Sequence, residues 1–166
     1  MRSCKKGISK IVKKDFNNKQ ANYYEIYFKS IDGAEIYAKY ISPTVDGKVP
    51  TVIEFHDYKE ASRGWHHLTR YVGIGYSIVA MDCRGQGGKS QDLGGTKGST
   101  VSGHLMLGID DEISNMYYTK VYLDGYILSK IIEKFEKTDI NKIITLGKGQ
   151  GAALALVVAS LNKNIN

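Results

Sequence analysis

The chain has 166 residues, 42% of them hydrophobic and 24% charged, the make-up of one folded domain rather than a disordered tail. Two cysteines, Cys4 and Cys83, and two prolines exclude a disulfide scaffold and a proline-rich linker, and no apolar run approaches the roughly 20 residues of a membrane span. The net charge of +6 sits in residues 1–22, which hold seven basic residues against Asp15 alone, so the rest of the chain is balanced.

Residues 1–22 read as a solvated basic arm. The arm lacks the repeated stacking aromatics that go with nucleic-acid binding, and no apolar segment of signal-peptide type follows it. Neither a nucleic-acid nor a membrane partner is expected, and the expected compartment is the cytoplasm. Residues 23–166 form the expected domain. Residues 23–28 and 34–41 are rich in tyrosine and isoleucine and flank Asp32-Gly33, the signature of a tight hairpin. Residues 42–50 read as a loop and 51–56 as a short apolar strand. Residues 62–73 have helical spacing, with Trp65, Leu68, Thr69 and Val72 on one face. A second buried strand spans 76–81 and ends at Asp82.

Residues 84–108 hold eight of the 18 glycines, and a long glycine-rich excursion after a strand usually borders a site. A helix is predicted over 117–137, a third buried strand over 142–146, a tight glycine turn over 147–151 and an apolar helix over 152–161. Strands alternating with helices imply an α/β fold with a mostly parallel sheet, an antiparallel N-terminal hairpin and helices on both faces.

Two nucleotide motifs fail on inspection. The segment from Cys83 to Ser90 ends in Gly-Lys-Ser, but a P-loop needs glycine where Cys83 stands and a helix directly afterwards. Gly147-Lys148-Gly149-Gln150-Gly151-Ala152 fits a loose dinucleotide fingerprint, but that fingerprint needs an acidic residue about 20 positions on. No cofactor and no metal site is expected.

A strand, a tight turn of small residues and a helix also make a nucleophile elbow, Gly-x-Ser-x-Gly, in which the central residue is raised above the sheet. Gly147-Lys148-Gly149-Gln150-Gly151 keeps the outer glycines and has Gly149 at the serine position. Taken with Glu54-Phe55-His56-Asp57-Tyr58, Asp82-Cys83-Arg84-Gly85-Gln86-Gly87, Gly108-Ile109, Tyr117-Tyr118 and Val121-Tyr122-Leu123-Asp124, the chain resembles the N-terminal half of the α/β-hydrolases known as acetyl xylan esterases and cephalosporin-C deacetylases.

That resemblance implies a serine that attacks an acetyl carbonyl, a histidine that takes its proton and an aspartate that orients the histidine. It also implies an oxyanion hole from two backbone N–H groups, here those of Tyr58 and Gln150. Gly149 has no hydroxyl to supply the nucleophile. All four histidines, His56, His66, His67 and His104, precede the turn, which is the wrong side for the hydrolase order, and the family's aspartate and histidine are expected beyond Asn166.

The expectation is therefore an acetyl-ester hydrolase relative that is inactive alone, a truncated pseudoenzyme. The alternatives are one chain of a split hydrolase, or a non-enzymatic binding or regulatory module. The implied ligand is an acetylated sugar or small acetyl ester. The side formed by residues 142–161 is expected to seek a second chain or a copy of itself. Among single residues, His56 is expected to shape the oxyanion loop and His66 and His67 to lie on a helix surface. Asp57, where the family has glycine, is expected to disturb the oxyanion loop. Cys83 reads as a core thiol, and Arg84 as the partner of a carboxylate near the strand ends. Ser62 and Ser90 have no elbow around them. Tyr117, Tyr118 and Tyr122 read as core tyrosines with buried hydroxyls, or as the wall of a cleft facing carbohydrate.

Overall fold

The computed structural model describes residues 7–94 and 107–166. Along the chain run β1 (Ile8–Lys14), β2 (Ala21–Lys29), β3 (Glu35–Pro43), β4 (Val49–Phe55), α1 (Trp65–Gly73), β5 (Ser77–Met81), a 3₁₀ turn at Ile113–Asn115, α2 (Tyr117–Ile132), β6 (Thr138–Gly147) and α3 (Gln150–Leu161). The sheet order is β1-β2-β3-β5-β4-β6. β1, β2 and β3 form an antiparallel meander, β3 meets β5 antiparallel, and β5, β4 and β6 run parallel.

The hairpin between β2 and β3 closes as its sequence demands. Gly33 takes a φ of +86°, and the Asp32 carboxylate accepts the Ala34 N–H at 3.1 Å. β1 corrects the reading of residues 1–22 as a solvated arm. Ile8–Lys14 pairs with β2, Lys10 lies 5.5 Å from the centre of the Tyr27 ring, and Lys14 reaches Glu25 at 3.8 Å. Lysines hid this strand because an edge strand needs no fully buried face, and charge there discourages pairing with other chains.

Alternate residues along each strand build two cores. Leu68 of α1, with Trp65, Tyr71 and Val72, covers Tyr23, Ile41, Val52, Ile78 and Ala80 on one face. On the other, Val121, Leu128 and Ile132 of α2 and Leu154 and Val158 of α3 cover Ile26, Phe28, Ile53, Phe55, Val79 and Ile143. The helices thus lie on both faces. α2 stops at Ile132 instead of 137, because the N–H groups of Lys134 and Phe135 turn back to the Ile131 and Ile132 carbonyls. β6 consequently starts four residues earlier than predicted, with Thr138 beside Val49.

Parallel pairing of β5, β4 and β6 brings their C-terminal ends to one edge of the sheet. Three loops meet there, after Phe55, Met81 and Gly147, at the place where ligands bind in open α/β sheets. The approach of α3 to this edge depends on two glycines. A Cβ at Gly147 would collide with the Gly151 carbonyl, and a Cβ at Gly151 would collide with the Phe55 carbonyl.

Candidate functional site

The three assigned residues converge at this edge. Gly149 is the N-cap of α3, with φ +55° and ψ −120°, a conformation that side chains rarely adopt and that a nucleophile elbow imposes. Gln150, the first residue of α3, and Tyr58, in the loop after β4, aim their backbone N–H groups at a single point. That point is occupied by Oδ1 of Asp57, which accepts from Tyr58 at 2.7 Å and from Gln150 at 3.1 Å. The same carboxylate fills the space that a side chain at residue 149 would need. Two backbone donors on one anionic oxygen lower the Asp57 pKa, with the Tyr58 N–H the larger cause, the Gln150 N–H next and Lys148 adding to it. The expected disturbance of the loop by Asp57 is thus specific: the loop is intact, and the carboxylate lies between its donors.

The loop after β5 braces this arrangement. Arg84, fully buried, forms a two-pronged pair with Asp124 of α2 (2.7 and 2.9 Å), reaches Asp32 in the β2–β3 hairpin at 2.6 Å, and donates to Ser30 Oγ at 2.7 Å. One guanidinium therefore ties the first hairpin, the β5 loop and α2 together, with the fork geometry that only arginine supplies. Asp82 accepts the N–H of Ser62 through one oxygen and that of Lys89 through the other, both at 2.8 Å. Gln86 donates to Gln150 Oε1 at 2.7 Å and to Tyr117 Oη at 2.9 Å, and accepts the Lys59 N–H at 3.0 Å. Gln86 and Gln150 thereby lock all three loops to one another. Sequence reasoning assigned Gln150 only its backbone; the role of its side chain depends on the fold bringing residue 86 opposite it.

Beside the hole lies a 460 Å³ pocket lined by Tyr58, Met116, Tyr118, Thr119, Tyr122, Gln150 and Ala153. The Tyr118 hydroxyl donates to Gln150 Oε1 at 2.9 Å, and burial pushes its pKa up to about 12. The two tyrosine readings divide between residues. Tyr117 is buried and donates to the Arg84 carbonyl at 2.6 Å, whereas Tyr118 and Tyr122 form the pocket wall.

Among the described residues, no histidine is bonded toward Gly149 as a base would be. His56 is buried, its Nε2 accepts the Cys83 N–H at 2.9 Å, and its Nδ1 lies 2.7 Å from the Asp57 carbonyl. Both ring nitrogens are thus engaged in a neutral tautomer, and the ring pins the loop that carries Tyr58. His66 and His67 are exposed on α1 with rings 3.9 Å apart, and His104 lies outside the described residues. Ser90 Oγ donates to the Asp82 carbonyl at 2.6 Å and accepts the Tyr37 N–H at 2.9 Å, a structural bridge. The Ser62 hydroxyl is buried near Asp82. Cys83 is buried, which pushes its thiol pKa far up and leaves it unreactive. Among the described residues no group of three or more His, Cys, Asp or Glu is placed to hold a metal ion.

A mixed sheet with an antiparallel start, helices on both faces, and a glycine-flanked strand–turn–helix opposite a two-amide hole define part of an α/β-hydrolase fold. The chain matches the model of the acetyl xylan esterase (AXE1) family over residues 5–166. Acetyl xylan esterase 1 from Thermoanaerobacterium sp. JW/SL YS485 is 38% identical, with a TM-score of 0.90 over 95% of this chain and 50% of that one. An acetyl xylan esterase from Paenibacillus sp. R4 is 27% identical, with a TM-score of 0.86 over 94% and 50%. A cold-adapted esterase from an Arctic intertidal metagenomic library shares the fold at 16% identity, with a TM-score of 0.64 over 92% and 60%. The chain belongs to the acetyl xylan esterase family, and it spans about half the length of the two acetyl xylan esterases.

Proposed function

We propose that this chain carries the ester-recognition half of an acetyl-esterase site and performs no ester hydrolysis by itself. Its ligand class, by kinship with the acetyl xylan esterases, is acetylated carbohydrate or small acetyl esters. The observation that carries the reading is Gly149: the residue at the head of α3 has the backbone of an elbow and no atom that can attack a carbonyl. A missing nucleophile typically costs about 10⁶-fold in kcat, and adding a base or an acid from elsewhere does not replace it. The retained elements are those that recognise rather than react: the pocket walled by Tyr118 and Tyr122, and the frame of the Tyr58 and Gln150 amides, whose donors are taken by Asp57. A fluorophosphonate probe, which phosphonylates activated serines with loss of fluoride, tests this reading. Intact-mass spectrometry of the purified chain is expected to show no adduct, and stoichiometric labelling would overturn the proposal.

A second element of the reading concerns partners, and the exposed apolar residues of the 142–161 side favour it. Ile144 and Leu146 on β6 are 39% and 41% exposed, and Leu156 and Leu161 on α3 are 72% and 50% exposed. β6 closes the strand order of the sheet, and residues 165–166 pair with its outer side only at the Ile143–Ile165 bridge, the Asn166 N–H on the Ile143 carbonyl and the Asn166 amide on the Asn141 carbonyl, so the exposed apolar side chains adjoin an edge that is only partly capped. We propose that this side takes a second polypeptide, either a separate chain that continues the sheet or another copy. Sedimentation at low micromolar concentration is expected to show self-association of the purified chain. A sharp monomer with strong hydrogen-exchange protection across 142–161 would contradict it.

A further inference from the structure

Loss of the serine and the presence of Asp57 are two changes at one point in space. The Asp57 loop leaves β4 and the Gly149 turn leaves β6, and the strands pair in parallel with Phe55 beside Gly147, so the two residues face each other across the strand ends. Asp57 Oδ1 takes both amide donors, as the negatively charged oxygen of a tetrahedral ester intermediate would. A Cβ on residue 149 would run into the same carboxylate. The contact is formed by a side chain of a short turn, closed by the Glu60 N–H on the Asp57 carbonyl at 3.1 Å, so it is held at high effective concentration.

We propose that Asp57 is the resident occupant of the anion hole, a tethered mimic of the oxyanion, and that residues 57 and 149 form an exclusive pair: a carboxylate at 57 or a side chain at 149, but not both. Asp57 thus denies an ester carbonyl access to the Tyr58 and Gln150 amides, and restoring serine alone would not restore a competent site. The link to ester chemistry rests on the elbow reading above, whereas the exclusion itself is geometric and is tested without any turnover.

The test is a double-mutant cycle read by thermal melting. Gly149→Ser alone must bear both the strain of φ +55° and eviction of the Asp57 carboxylate. In an Asp57→Gly background it bears the strain alone. The drop in Tm on adding serine is therefore expected to be several degrees in the parent and less than half as large in the Asp57→Gly background. Equal drops would overturn the proposal, since independent sites add.

Amide NMR of the wild type supplies a second readout should a serine variant fail to fold. On acidification the Tyr58 and Gln150 N–H signals are expected to move together, with a midpoint below the ordinary aspartate value of about 3.9, and Asp57→Asn is expected to abolish that transition. Lys148 and His56 are the other charged or titratable neighbours of the carboxylate. A midpoint at or above the ordinary value, or a transition that survives in Asp57→Asn, would overturn the proposal. Ester turnover by the wild type would sink the functional reading and leave this coupling to be judged on the cycle alone.

Discussion

The three glycines of the β6–α3 turn face different surroundings, and the contrast separates scaffold from chemistry. Gly147 and Gly151 are confined by backbone: each would drive a Cβ into a carbonyl oxygen, and neither carbonyl can swing away. Gly149 meets no backbone atom in this way: it is confined by the end of a side chain, the Asp57 carboxylate, and by its own φ of +55°. The outer positions are thus fixed by backbone packing, and the central one by its backbone conformation and a side chain that can move. On the proposed reading, residue 149 can be glycine without loss of structure provided something answers the two amide donors, and Asp57 does so.

The strongest way to break this contrast is Gly151→Ala. The new methyl group meets the Phe55 carbonyl in the core, so strand and helix must part. A destabilisation of more than about 4 kcal/mol is expected, read by urea denaturation. A loss below about 1 kcal/mol would show that α3 is not held against β4 as described.

Arg84→Met comes next. It leaves Asp124 buried without a counter-charge and removes the link to Asp32 and Ser30. Stranding one partner of a buried pair costs about 3–5 kcal/mol, again measurable in urea. Because the guanidinium braces the loop that carries Gln86, hydrogen exchange at Tyr58 and Gln150 is expected to quicken as well.

The smallest effect belongs to Lys59, an exposed residue at φ +64° in the turn after Asp57. Lys59→Gly is expected to raise stability by about 1 kcal/mol, because glycine adopts this region without penalty. A loss of stability would mean that the lysine side chain contributes more than its strain costs.

Much of this architecture was legible in the sequence, and the gaps have physical causes. Apolar runs and the Asp-Gly hairpin announced β2 to β6: β4 and β5 are buried along nearly their whole length, whereas β6, expected to be a buried strand, buries only Thr138 and Ile143 because it lies at the edge of the sheet. β1 was not legible, since its lysines belong to an edge that needs no buried face. The glycine turn and its likeness to the acetyl xylan esterases single out Gly149, Tyr58 and Gln150 in the sequence itself. The sequence also marked Asp57 as a departure from the family. It could not say that the carboxylate would fill the hole, because that follows from the parallel register setting β4 beside β6. The Gln86–Gln150–Tyr117 lock was hidden for the same reason: its members are 64 and 31 residues apart and meet only through the sheet.

The central claim is that the recognition half of an esterase site persists here without its chemistry. Steady-state acetate release by the purified chain from a chromogenic acetyl ester, against a matched buffer blank, measures this most directly. The expected result is no release above the blank. Turnover at even one-thousandth of a typical kcat of about 10 s⁻¹ would contradict the account.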